Sequence, residues 1–144
     1  MKIVVQRVKF AKVTIDEQLH SSIEKGLLVY VCLEKLDTTE TLKKAVDKLI
    51  KLRIFEDENG KMNKNIKDIQ GEIMSVSQFT LSWDGKKGNR PSFENAMSPK
   101  EAQLNYSLFN KFLSEHIKVQ TGRFAADMKI ESLNDGPVTF HLDF

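Results

Sequence analysis

Gly26-Leu27-Leu28-Val29-Tyr30-Val31-Cys32-Leu33 is the stretch from which the fold is read. Seven consecutive apolar residues with β-branched and aromatic members fit a central strand buried on both faces, as in sheets that helices cover. A helix able to cover it follows at once. Asp37-Thr38-Thr39 supplies N-cap candidates, and Leu42, Ala45, Val46, Leu49, Ile50 and Leu52 recur at helical spacing with lysines opposite, so an amphipathic helix is expected on the sheet. Upstream, Val4, Val8, Val13 and Ile15 alternate loosely with Arg7, Lys9, Lys12 and Thr14, which predicts two short strands or one bent strand over residues 3–15.

Arg53-Ile54-Phe55 reads as a further strand, closed by the turn Asp57-Glu58-Asn59-Gly60, which lacks the alternating oxygen ligands and distal glutamate of a calcium loop. Residues 71–81 are strand-like, with Ser77, Gln78 and Thr80 crowding polar groups at the end. Ser98-Pro99-Lys100-Glu101 combines an N-cap serine, a proline at the first helical position and a glutamate three residues after the cap, so a second helix starts there. Its expected apolar stripe is Leu104, Leu108, Phe112 and Leu113, with Phe109 at the edge. Residues 129–133 form another strand, and Asn134-Asp135-Gly136-Pro137-Val138-Thr139 leads into a last one, Phe140-His141-Leu142-Asp143-Phe144. Asn-Asp-Gly between two β-like runs signals a hairpin turn. A Gly-Pro step, with carbonyls and no proline N–H, is also able to form a rigid polar wall.

A chain of 144 residues, 40% hydrophobic and 29% charged, fits one domain spanning residues 1–144. No apolar run approaches the roughly 20 residues of a membrane span. Met1-Lys2-Ile3-Val4-Val5-Gln6-Arg7 meets charge too early for a signal peptide, so a cytoplasmic location is expected. The single cysteine, Cys32, excludes an internal disulfide and a multi-cysteine metal site. With 22 basic and 20 acidic residues, the net charge of +2 permits an RNA partner without indicating one.

Hydrolysis by a side-chain nucleophile needs a serine, cysteine or threonine beside a histidine base that a carboxylate orients. None of the histidines suits this: His20 lies in a polar connection, His116 at a helix end and His141 in the terminal strand. No His-Glu-x-x-His or comparable cluster is present, and no metal or cofactor is expected. A site of backbone donors remains, with Gln78 and the amides around Phe79 and Thr80 stabilising an oxyanion while another group supplies the nucleophile. The alternative is that Ser77 and Thr80 merely cap the strand. The loop over residues 82–93 mixes glycines, aromatics and the cations Lys86, Lys87 and Arg90 without the phosphate-loop pattern. It reads as solvated surface or as a phosphate contact.

Ser77-Gln78-Phe79-Thr80-Leu81, Arg90-Pro91-Ser92-Phe93, Thr121-Gly122-Arg123-Phe124-Ala125-Ala126-Asp127-Met128 and Asn134-Asp135-Gly136-Pro137-Val138-Thr139 together resemble, in order and spacing, the D-aminoacyl-tRNA deacylases, also called D-tyrosyl-tRNA deacylases. The likeness begins at Lys2-Ile3-Val4-Val5-Gln6-Arg7-Val8 and runs to the C-terminus. It departs at Cys32, where glycine is common, and in the lysine-rich loop after Trp83.

The resemblance implies a homodimeric α/β protein, a single compact domain with a mixed β-sheet or partial barrel and two main amphipathic helices. It implies hydrolysis of the ester joining a D-amino acid, or glycine mischarged on tRNA-Ala, to the terminal adenosine of tRNA, a chiral proofreading step in translation. Ser77, Gln78, Phe79 and Thr80 would form the pocket floor and its oxyanion donors. Gly136-Pro137, cis in this family, would reach into the partner subunit's site, Arg7 would brace that loop, and Met128 would line the pocket. Lys86, Lys87 and Arg90 would touch the tRNA. Attack by water, or assisted by the ribose 2′-hydroxyl, fits the missing histidine base, while Thr80 is the family's alternative nucleophile. Exchanging D for L swaps side chain and hydrogen at the α-carbon, so a fixed carbonyl wall collides with an L side chain and lets glycine pass. A non-catalytic RNA-binding dimer is the competing class; a general serine esterase is disfavoured by the missing Gly-x-Ser-x-Gly elbow.

Overall fold

The computed structural model describes residues 1–86 and 88–144, and its organising strand is β3 (Gly26–Cys32). It lies antiparallel to β1 (Lys2–Ile15) on one edge and parallel to β6 (Glu72–Ser77) on the other. Because successive side chains point to opposite faces, alternate residues serve two different cores. Leu27, Val29 and Val31 join the core under α1 (Thr39–Lys51) and α2 (Pro99–Ser114). Leu28 joins a second core on the other face, with Val8, Val13, Ile23 and Met74. The continuous apolar run thus reflects burial from both sides.

β1 is one strand rather than two, and it bends. Its first half pairs with β3 and its second half with β2 (Gln18–Ile23), while β8 (Lys129–Asp143) runs antiparallel along its opposite edge. The register against β8 shifts between Val8 and Ala11. Ile3 and Val5 face the helices, whereas Val8, Ala11, Val13 and Ile15 belong to the second core. A slip of this kind exchanges faces and increases twist. It brings β2 round towards β6 and β7 (Val119–Thr121), where Ser21 Oγ donates to the Thr121 carbonyl at 2.9 Å. The product is a single α/β domain in which a mixed sheet closes into a nearly complete barrel with two helices on one side.

Residues 134–139 do not reverse the chain. β8 passes straight through them, with Gln6 opposite Thr139 and Val8 opposite Asn134, so residues 135–138 bulge outward opposite Arg7 alone. The hairpin signal is local, and pairing with β1 on both sides of the segment overrides it. The strand expected over residues 71–81 stops at Ser77, where a 3-10 helix, Phe79–Ser82, takes over. The strand expected at residues 53–55 reduces to β4 (Phe55–Glu56), paired with β5 (Met62–Lys64) across the 57–60 turn. His20 lies in β2, not in a connection. No helix among the described residues is long and apolar enough to cross a membrane.

Thr38 caps α1 through reciprocal bonds with Thr41, and Leu42, Ala45, Val46, Leu49 and Ile50 are its buried face. In α2 the stripe is rotated from the expected one: Tyr106, Phe109 and Leu113 are buried, while Leu104 is 65% exposed. Both sets have helical spacing, and the larger aromatic surface of Tyr106 and Phe109 takes the interior. Phe109→Ala is therefore expected to cost about 3–5 kcal/mol of stability, and Leu104→Ala less than about 0.5 kcal/mol. Urea unfolding of both variants checks this, and equal losses would restore the Leu104 stripe.

Candidate active site

Where β6 ends at Ser77, the chain tightens directly into the 3-10 helix. Gln78 sits at the junction, its amide donating to the Val31 carbonyl of β3 at 2.8 Å. Phe79 and Thr80 open the helix, so their amides lack the helical acceptors that later residues have. Gln78 Nε2 donates to Thr80 Oγ1 at 2.6 Å. The threonine oxygen is thus occupied as an acceptor, and no base sits in that bond.

A cavity of about 800 Å³ opens beside this strand end. Ser77, Gln78 and Phe79 line it together with Phe124, Ala126 and Met128, and Ala102 and Tyr106 of α2 contribute part of the wall. Phe93 meets Phe79 edge to face with ring centroids 4.9 Å apart. The charged groups on the lining are Lys35, Glu94 and Asp127, and no histidine joins them among the described residues. Those residues also hold no cluster of three metal-ligating side chains.

Close packing fixes the wall. A Cβ on Gly122 would lie 2.5 Å from Met128 Sδ, so the methionine as placed here rests against a position without a side chain and would have to shift to admit one. Ala125 has a φ of 60° at the third position of a turn closed by the Ala126 amide on the Arg123 carbonyl at 3.2 Å. A non-glycine residue in that region costs roughly 1–2 kcal/mol, so the surroundings must hold it there. Beneath the floor, the Ser75 carbonyl accepts from both the Tyr106 hydroxyl, at 2.8 Å, and the Gly122 amide, at 3.0 Å. One carbonyl therefore ties α2, β6 and the approach to Met128 together. Burial pushes the Tyr106 phenol above its ordinary pKa, keeping it a neutral donor. Burial likewise raises the Cys32 thiol to about 11, so it stays protonated and is no nucleophile at neutral pH.

A second assembly lies on the β8 bulge. Arg7, 6% exposed, donates through Nε to the Asp135 carbonyl at 3.0 Å and through Nη1 to the Ile54 carbonyl at 2.8 Å. Asn134 Oδ1 accepts from the Val138 amide at 3.1 Å and closes the bulge. Between these anchors the Gly136-Pro137 peptide bond is cis, and Gly136 has a φ of 131°. Both residues are exposed.

Of the site residues expected from sequence, Ser77, Gln78, Phe79 and Met128 meet at the cavity. Thr80 stands behind Gln78 without lining it. Arg7, Gly136 and Pro137 gather on the bulge, outside that lining. Lys86 and Arg90 are exposed beyond it, with Lys86 3.8 Å from Asp84, and Lys87 lies outside the described residues. Phe93, Phe124, Gly122 and Tyr106 were not assigned from sequence. The first three stood inside quoted motifs, whereas Tyr106 carries no local sign beyond its helix.

A family model described as D-Tyr-tRNA(Tyr) deacylase matches residues 4–143. Among solved structures, the c-Myc DNA unwinding element binding protein is 40% identical and superposes with a TM-score of 0.96, covering 100% of this chain and 99% of that one. A probable eukaryotic D-amino acid tRNA deacylase is 17% identical, with a TM-score of 0.83 over 99% of this chain and 98% of its own, a likeness of fold. Matched over nearly its whole length, the chain belongs to the D-Tyr-tRNA(Tyr) deacylase family, hydrolases acting on the ester bond of D-aminoacyl-tRNA.

Proposed function

We propose that the cavity at the end of β6 hydrolyses D-aminoacyl-tRNA, and glycyl-tRNA mischarged on tRNA-Ala, in a homodimer where each subunit's Gly136-Pro137 completes the other's pocket. The observation that carries this reading is the position of Gly136-Pro137: buttressed from behind by buried Arg7, exposed in front, and outside its own chain's cavity. A group held in that way is arranged for something beyond its own chain. β8 supports the same reading, because its outer edge pairs with no strand among the described residues and carries exposed Leu133 and Phe140. Long edge strands of this kind are usually covered, and a second copy would cover this one through a two-fold contact.

Carbonyl groups of the partner's Gly136-Pro137 would face the substrate α-carbon. A hydrogen fits against them and an L side chain does not, so D-aminoacyl and glycyl esters enter while L-aminoacyl esters are kept out. At the ester, Gln78 and the amides of Phe79 and Thr80 would take the developing oxyanion. Water would add to the carbonyl carbon, directly or aided by the ribose 2′-hydroxyl, and the bond to the ribose oxygen would break as that oxygen takes a proton. The Gln78 to Thr80 bond argues against threonine as nucleophile, since no base stands ready to remove its proton.

The relative named for DNA binding, with the exposed Lys86 and Arg90, supports a second reading as a nucleic-acid binder that does not cleave. Incubation with D-tyrosyl-tRNA and L-tyrosyl-tRNA separates the two: release of D-tyrosine alone is expected, whereas a gel shift of both without release would leave only binding. Thr80→Ala is expected to keep most of the initial rate. Complete loss in a folded variant, or a trapped acyl-enzyme, would make Thr80 the nucleophile. Gly136→Ala adds a Cβ 2.8 Å from Val138 Cγ2 and 3.0 Å from Arg7 Nη2 at a φ that L residues rarely adopt. It is expected to lower kcat/KM on D-tyrosyl-tRNA about tenfold or more, equivalent to about 1.4 kcal/mol or more at the transition state. An unchanged rate with unchanged selectivity would remove Gly136 from the site.

A further inference from the structure

We propose that the groove between α1 and the C-terminal end of α2 is a second nucleic-acid contact, holding the phosphate backbone of the duplex arm of the same tRNA whose 3′ end is cleaved. This rests on the deacylase reading and extends it to a surface remote from the cavity. The groove encloses about 530 Å³ and is lined by Lys43, Lys51 and Lys67 over an apolar floor that includes Val46, Ile50 and Phe112.

Charge is the first argument. The chain as a whole has a net charge of only +2, yet α1 alone carries Lys43, Lys44, Lys48 and Lys51 against Glu40 and Asp47, a surplus as large as that of the entire protein. Elsewhere acids and bases cancel. The groove's acids are Asp47 and Glu115, and Asp47 is already bound to Lys51 Nζ at 2.6 Å. Lys43 and Lys67 are exposed and have no carboxylate within ion-pair distance among the described residues. Lys43 Nζ rests 5.7 Å from the Phe112 ring centroid, which keeps its ammonium over the groove. Cations without carboxylate partners among the described residues, spaced along a groove, are what a phosphate backbone needs for counterion release.

Placement is the second argument. Ala102 of α2 lines the cavity and Phe112 of the same helix lines the groove. At ~1.5 Å of rise per residue these positions are about 15 Å apart along the helix. A stacked strand advances ~3.4 Å per nucleotide, so about four nucleotides span that interval. That is the length of the unpaired 3′ end separating an esterified adenosine from the acceptor duplex. With the ester in the cavity, the first duplex phosphates fall at the groove.

The test is the double variant Lys43→Gln with Lys67→Gln, whose exposed positions leave the core intact, as an unchanged urea midpoint would verify. It is assayed on D-tyrosyl-tRNA and on the D-tyrosyl ester of adenosine, which lacks the duplex arm. For the tRNA, KM is expected to rise about tenfold at low salt with kcat unchanged, and the log–log salt slope to fall by about 2. For the adenosine ester, KM is expected to stay the same. An unchanged KM for the tRNA would give the groove to some other partner and overturn the proposal, as would an equal rise for both substrates. If the wild type cleaves neither ester, the deacylase reading fails by itself. The groove is then judged on gel shifts with uncharged tRNA, where equal affinity of variant and wild type overturns it.

Discussion

A guanidinium buried beneath β8 is the interaction on which the outer face depends. Arg7 is the one residue of β1 opposite residues 135–138, and it reaches two backbone carbonyls from different parts of the chain, Asp135 at 3.0 Å and Ile54 at 2.8 Å. Its ion pairs are weaker contributors. Glu56 is 3.7 Å away with a side chain 59% exposed, and Asp135, whose Oδ2 is also at 3.7 Å, offers its other oxygen, Oδ1, to Lys9. Surface ion pairs contribute about 0–1 kcal/mol, while charged hydrogen bonds in a buried setting contribute about 1.5–3 kcal/mol. The two carbonyl bonds therefore dominate, and they couple the β8 bulge to the segment that follows α1. Without a cation at that position the Asp135 and Ile54 carbonyls would lose their charged donor.

Much of the architecture was legible because it is written in local periodicity. The 27–33 run, the α1 stripe and its Thr38 cap each specify their element within a few residues, and the structure keeps them. The bend of β1 was legible only as an ambiguity, since the slip between Val8 and Ala11 resembles the end of one strand and the start of another. Asn134-Asp135-Gly136 misled because its turn preference is local, whereas the pairing partners of β8 come from residues 2–14, far away in the chain. In α2 two stripes fit the helical period, and only the shape of the sheet beneath decides that Phe109 enters and Leu104 stays out.

The candidate site divides in the same manner. Ser77, Gln78 and Thr80 crowd polar groups at the end of the strand expected over residues 71–81, but the strand stops at Ser77 and Thr80 falls in the 3-10 helix. Nothing local says that Phe124 and Met128 join Ser77 and Gln78 at one cavity, for that depends on β7 lying parallel to β6 and on Gly122 leaving room for a sulfur. Nor does the sequence show that Tyr106, outside the apolar stripe expected for α2, supports the floor through the Ser75 carbonyl. The separation of Gly136-Pro137 from the cavity is likewise a property of the folded chain, and it is what makes a second subunit part of the proposed chemistry.

The two proposed roles draw on different physics. The cavity lining carries Lys35, Glu94 and Asp127, but the groups proposed to meet the ester are neutral: the Gln78 carboxamide and main-chain amides, supported by a Thr80 hydroxyl held by Gln78 and by a Tyr106 phenol that burial keeps protonated. Neutral preorganised donors stabilise a developing oxyanion without titrating near pH 7, and carrying no net charge they depend little on ionic strength. The lysines of the α1 groove are exposed charges whose attraction for phosphate falls steeply with ionic strength. Under the proposed mechanism selectivity at the α-carbon would be steric and local, and would gain nothing from the groove. Affinity for the long polyanion is electrostatic and distributed, so the cavity alone contributes little to it. A protein that must find a rare mirror-image ester on an abundant carrier is served by that separation, because the carrier can be held by its backbone whatever amino acid it bears.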